Sequence, residues 1–175
     1  SGFNSTDLNS YTAVEFDFMY DILQAIDDFD NDVKIIIKVR PNGYERQYID
    51  FINKYFGKLD VSVASTLPMK KVLEKADLYI SIYSQTLFEA SCMGIPVIYY
   101  KKDTEVINPP FDGKSELVTI YDTQELIQAL NDFQVNRIRF DDFLDRDVME
   151  KYIGPLDGKN LERNMNFIEN ILNNR

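Results

Sequence analysis

The chain has 175 residues, with 19 Lys and Arg against 29 Asp and Glu, a formal charge of −10, no His, one Cys and no Trp. That length and a 45% hydrophobic content suit one domain that can bury a sizeable core without staples. The missing His excludes a Ser-His-Asp triad, a Cys-His pair and a His-based zinc site, the single Cys excludes an internal disulfide and a Cys₄ cluster, and an acidic balance with basic residues in ones and twos argues against a nucleic-acid backbone as main partner. Along the chain, Ser1 to Ser10 reads as a loop. Thr12 to Phe29 reads as a helix, because Phe16, Met19, Tyr20, Leu23 and Ile26 form one apolar stripe. Val33 to Val39 is short and β-branched, which predicts a buried strand. Tyr44 to Phe56 is helical, with Tyr48, Phe51, Ile52 and Tyr55 on one side. Val61 to Ala64 is a weaker strand, and Met69 to Ala76 is a helix opened by Pro68.

Asp77 to Ile82 and Pro96 to Tyr100 are strong strands, with a short helix from Thr86 to Met93 between them, ended by Gly94. Leu117 to Tyr121 is the last strand. Asp122-x-x-Glu125 is a capping-box pattern that opens a helix running to Phe133. Two further helices are expected near Phe140 to Tyr152 and Asn160 to Asn173. Strands alternating with helices predict an α/β fold, a three-layer doubly wound parallel sheet. Ligands of such sheets sit beyond the carboxyl ends of the strands, which selects the loops at Arg40-Pro41-Asn42-Gly43, Ser65 to Pro68, Tyr83 to Thr86 and Lys101 to Glu116. A doubly wound domain usually opens with a strand. The opening helix therefore predicts that residues 1–175 are a single domain excised from something longer. No run is apolar enough for a membrane span and no signal peptide starts the chain.

Neither G-x-G-x-x-G nor G-x-x-x-x-G-K-[ST] occurs, which excludes a P-loop NTPase and argues against a standard dinucleotide site. The informative stretch runs from Ala76 to Ile98: strand, polar loop, short helix, glycine stop, strand. The polar loop opens onto a helix N-terminus, where free N–H groups would favour an anion. Ser84, Gln85 and Thr86 could add donors, and Glu89 could accept two ribose hydroxyl protons. Thr86-Leu87-Phe88-Glu89 is equally a capping box, so Glu89 has a structural reading beside the functional one. Cys92 reads as a small apolar residue on a buried helix. Tyr79, Tyr83, Tyr99 and Tyr100 read as core and strand-edge residues.

The elements Ala76-Asp77, Ser84-Gln85-Thr86, Glu89-Ala90, Gly94 and Pro96-Val97-Ile98 resemble the nucleotide-binding half of GT-B glycosyltransferases. Lys38 to Pro41, Asp122 to Leu126 and Leu156 to Arg163 resemble the branch that contains CDP-glycerol glycerophosphotransferases and capsule or cell-wall glycosyltransferases. The resemblance implies one half of a GT-B fold and a donor domain for a nucleotide-sugar, most often a UDP-sugar, used in surface-polysaccharide or cell-wall synthesis. It implies ribose at Glu89, diphosphate or sugar at Ser84, Gln85 and Thr86, base at Thr66 and Leu67, and Arg40 with Asn42 lining the same cleft. It implies no cofactor, no metal and no catalytic residue here, since the base for the acceptor commonly sits on the missing N-terminal domain. A cytoplasmic setting follows, with any membrane association carried by that half. Asn42-Gly43 stands where glycerophosphotransferases carry His, and Ser81 stands where the retaining E-x₇-E pattern has its first acid. A glycerophosphotransferase-like domain and a non-enzymatic flavodoxin- or receiver-like module are the alternatives.

Overall fold

A computed structural model describes residues 10–29, 32–40, 45–102 and 104–173, with side chains from residue 16 onward. Seven α-helices and five strands occur among the described residues, in the predicted order. They are α1 (Ser10–Asp28), β1 (Lys34–Lys38), α2 (Glu45–Tyr55), β2 (Asp60–Ala64), α3 (Met69–Leu73), β3 (Tyr79–Ser81) and α4 (Thr86–Cys92). Then come β4 (Val97–Tyr100), β5 (Thr119–Ile120), α5 (Thr123–Val135), α6 (Arg146–Ile153) and α7 (Asn160–Asn173). Every strand pair is parallel. β1 pairs with β2, Ile35 opposite Val61 and Ile37 opposite Val63. β4 pairs with β3 on one side and β5 on the other. The fold is thus α/β, with a two-stranded and a three-stranded parallel ladder.

Side-chain alternation decides what covers each ladder. Ile98 and Tyr100 of β4 join Ile22, Ala25 and Ile26 of α1 and Leu126 and Ala129 of α5 in one buried cluster. Val97 and Tyr99 face the other way, into a cluster with Leu87 and Ala90 of α4, Leu73 of α3 and Met149 of α6. Helices therefore lie on both faces of β4. Ile35 of β1 and Ile80 of β3 pack against the first cluster, so the two ladders share core without sharing described hydrogen bonds. A third cluster joins Met19 and Leu23 of α1 to Tyr48 and Ile52 of α2, with Val39 and the inward side chains of β1 and β2. The expectation of a fully buried first strand fails here. Ile35 and Ile37 of β1 are only half-buried, and Ile36 faces outward, 36% exposed.

α1 relates the ladders to each other. Met19 and Leu23 meet Val39 just past the carboxyl end of β1. Asp21 accepts the Tyr100 hydroxyl proton at 2.8 Å and pairs with the Lys102 ammonium, both at the carboxyl end of β4. One short stretch of α1 thus meets the carboxyl ends of both ladders.

Local signals act as the sequence predicts at two helix ends. Asp122 caps α5 by accepting from the Glu125 N–H at 2.9 Å, and Glu125 reaches back to accept from the N–H of Tyr121, one residue before the cap, at 2.8 Å. Gly94, at φ 76°, lets its own N–H reach the Ser91 carbonyl (2.9 Å) and the Ile95 N–H reach that of Ala90 (3.1 Å). That pair of bonds is a Schellman stop for α4, and the positive φ is why glycine stands there. The single helix expected over Phe140 to Tyr152 is instead two 3₁₀ turns (Arg137–Phe140 and Asp142–Leu144) followed by α6. Asp145 interrupts it, since its carboxylate accepts the N–H groups of Asp147 (2.8 Å) and Val148 (3.1 Å) and caps a new helix. No helix among the described residues is long and apolar enough to cross a membrane.

Candidate functional site

The carboxyl ends of the parallel strands carry the sequence-predicted residues. β3 ends at Ser81, and the chain turns through Ile82, Tyr83, Ser84 and Gln85 into α4. The Ser84 hydroxyl oxygen accepts from the Thr86 N–H at 3.2 Å. The Leu87 N–H reaches the Ser84 carbonyl at 3.2 Å and the Phe88 N–H reaches that of Gln85 at 3.1 Å. Two expectations change with this geometry. The N–H groups of the first three residues of α4 already have partners, so they do not form the open anion cradle read from the sequence. The Thr86–Glu89 capping box is also absent. Gln85 is the N-cap and is itself helical (φ −63°, ψ −21°), which puts Thr86 inside the helix and leaves the cap to Ser84. Glu89 is exposed on α4 and not spent on capping.

Tyr79 of β3 lies beside this turn. Its half-buried ring packs in the α4 cluster, and its hydroxyl lies among those of Ser81, Thr86 and Ser84. Burial is the main cause that raises the phenol above its ordinary value. Contacts with the three hydroxyls oppose the rise, and the nearby Glu89 carboxylate adds to it. The turn thus puts the Ser84 and Thr86 hydroxyls beside this phenol, with Glu89 further along α4. From its sequence context Tyr79 is expected among core and strand-edge residues, and it does pack in the core. The signal available was strand parity, because Tyr79 and Ser81 fall on the same side of β3 as the helix that follows.

The remaining predicted residues lie outside that group. Thr66 and Leu67 are exposed beyond β2. The loop that carries them is fixed from β1, where the Lys38 ammonium donates to the Ser65 carbonyl at 2.9 Å and to that of Val39 at 2.6 Å. The Ser65 hydroxyl donates to the Glu45 carboxylate at the start of α2. Arg40 is exposed just past β1, with no hydrogen bond or ion pair to another described residue. Asn42 lies outside the described residues. Gln85 is exposed at the turn, and Tyr83 beside it, expected as a core or strand-edge residue, is 50% exposed just past the end of β3 and outside the core. Cys92 is likewise exposed and not buried, because the chain reaches the end of α4 there. Desolvation nonetheless raises its thiol above the ordinary value.

Surface depressions of about 530 and 310 Å³ occur elsewhere, the first beside Glu116 and Tyr152 and the second beside Lys54 and Lys58. Among the described residues no three Cys, Asp or Glu side chains converge as metal ligands. Comparison of the chain with protein-family models, with characterised proteins and with solved structures gave no match.

Proposed function

We propose that this chain is the donor-binding domain of a GT-B-type glycosyltransferase, a doubly wound three-layer half of the enzyme that holds a nucleotide-sugar. The observation that carries the reading is the polar turn of Ser84, Gln85 and Thr86 at the carboxyl end of a strand in a parallel ladder, with Glu89 exposed on the helix that follows. A carboxylate there accepts both hydroxyl protons of a ribose diol. The Ser84 and Gln85 side chains donate to diphosphate oxygens. Because the first N–H groups of α4 are occupied, the compensating charge has to come from a side chain, and exposed Arg40 is the candidate for it. The acceptor, its activating base and transfer to a surface polysaccharide or cell-wall precursor belong, on this reading, to the other half of the enzyme.

Calorimetric titration with UDP, CDP, GDP and ADP tests the proposal. One nucleotide is expected to bind saturably, and Glu89→Ala to weaken it about tenfold or more, the loss of charge-assisted hydrogen bonds. UDP as the ligand favours sugar transfer, and CDP favours glycerophosphate transfer. No binding at millimolar concentration of any of the four overturns the donor-domain reading.

A further inference from the structure

The loop between β4 and β5 contains Phe111, which is buried at the carboxyl end of β4. Lys101 fixes that loop, its ammonium donating to the Phe111 carbonyl at 3.1 Å and to the Val106 carbonyl. The Phe111 N–H closes a turn on the Asn108 carbonyl at 2.9 Å. The ring packs edge to face on Phe88 (centroids 5.7 Å apart, planes at 88°) and on Tyr99 (5.2 Å, 83°). Its third aromatic neighbour is Tyr83, at 4.7 Å and 68°. Of these four rings Tyr83 alone is exposed, and it adjoins Ser84 in the chain. A ring held on one side by a buried aromatic hub and open on the other loses little freedom when something stacks on it.

We infer that Tyr83 is the stacking residue of this site, taking the flat face of a ligand ring beside the Ser84–Glu89 unit. The inference rests on the donor-domain reading and extends it, since it gives the site a recognition element for a base or a hexose. Both offer the same chemistry, a planar or C–H-lined face against an aromatic ring.

The test is titration of the wild-type chain, Tyr83→Leu and Tyr83→Phe with UDP, CDP, GDP and ADP and with the glucose derivative of each. Leucine keeps an apolar cover over Phe111 and removes the flat face. Tyr83→Leu is expected to bind about tenfold more weakly, and Tyr83→Phe within about twofold of wild type. Loss shared by the diphosphate and its glucose derivative assigns the stacked ring as the base. Loss confined to the glucose derivative assigns the sugar. Unchanged affinity in Tyr83→Leu overturns the stacking role and leaves the donor-domain reading standing, whereas no binding by the wild type overturns both. Proton NMR of the wild type gives a measurement independent of variant folding. The Tyr83 ring resonances should move upfield on saturation, and their failure to move also overturns the stacking role.

Discussion

The two parallel ladders are built from similar residues and covered differently. In β4, Val97, Ile98, Tyr99 and Tyr100 are all buried, because α1 and α5 cover one face and α3, α4 and α6 the other. In β1, Ile35 and Ile37 reach the core, and Ile36 points outward between Lys34 and Lys38. A strand covered on both faces must be apolar at every position, whereas one covered on a single face tolerates charge at alternate positions. Lys34 is exposed on that face, and Lys38 at the other end is half-buried with its ammonium on the Ser65 and Val39 carbonyls. The lesson is that an unbroken Ile-Ile-Ile run does not itself report burial on two faces. The charges at its flanks, in the same parity as the middle isoleucine, carry that information.

Paired truncations in the two strands give the largest effect. Ile98→Ala removes most of a fully buried side chain between α1 and α5 and is expected to cost about 3 kcal/mol. Ile36→Ala should cost below about 1 kcal/mol, since the side chain is already partly in water. Urea unfolding midpoints of the two variants check this. Equal losses would mean that the outer face of β1 is covered in solution.

Much of this architecture is legible in the sequence. The order of elements follows from periodicity, because β-branched runs and three-to-four-residue apolar spacing differ in kind. Asp122, Glu125 and Gly94 fix helix ends through side-chain or backbone chemistry local to a few residues, so their signals survive folding unchanged. The candidate site is less legible. Ser84, Thr86 and Glu89 are recognisable as polar residues at a strand-to-helix turn, yet Tyr79 joins them only through the pleat of β3. Tyr83 and Phe111 meet across a segment of 27 residues with no periodicity to follow. The helix expected to start near Phe140 fails for a local reason that was available: Asp145 and Asp147 favour a fresh cap over a continued turn.

The second face of β4 has side-chain fastenings of its own, and cutting one should loosen only that side. Ser91 of α4 is 2% exposed. Its hydroxyl donates to the Phe143 carbonyl, which ties α4 to the 3₁₀ segment before α6, and lies 3.3 Å from the Met149 sulfur. Ser91→Ala leaves that carbonyl without this donor and should cost about 1–2 kcal/mol. Amide exchange is expected to quicken in α4 and α6 and to remain as in wild type in β1 and β2. Faster exchange spread evenly over both ladders would show that the molecule opens as one unit, and the contrast between them would then concern packing alone.

The smallest effect is also the most selective, because pH reaches one fastening of that same layer. Glu116, just before β5, accepts from the Tyr152 hydroxyl and from the Lys151 ammonium at 2.9 Å, both on α6. The Tyr152 contact, then that of Lys151, pushes its carboxyl down to about 2 from an ordinary 4.5. Between those values the unfolded chain takes up a proton that the folded chain refuses, so stability present above about pH 4.5 is lost as the pH falls toward 2. Water screens the pair, so its contribution at neutral pH is about 1 kcal/mol or less. Glu116→Gln should therefore be slightly less stable than wild type at pH 7, and the gap should narrow between pH 5 and pH 3. Urea midpoints at pH 7, 5 and 3 measure it. A gap that holds constant with pH would assign the loss to packing against Tyr152, and acid would then loosen the second layer no sooner than the first.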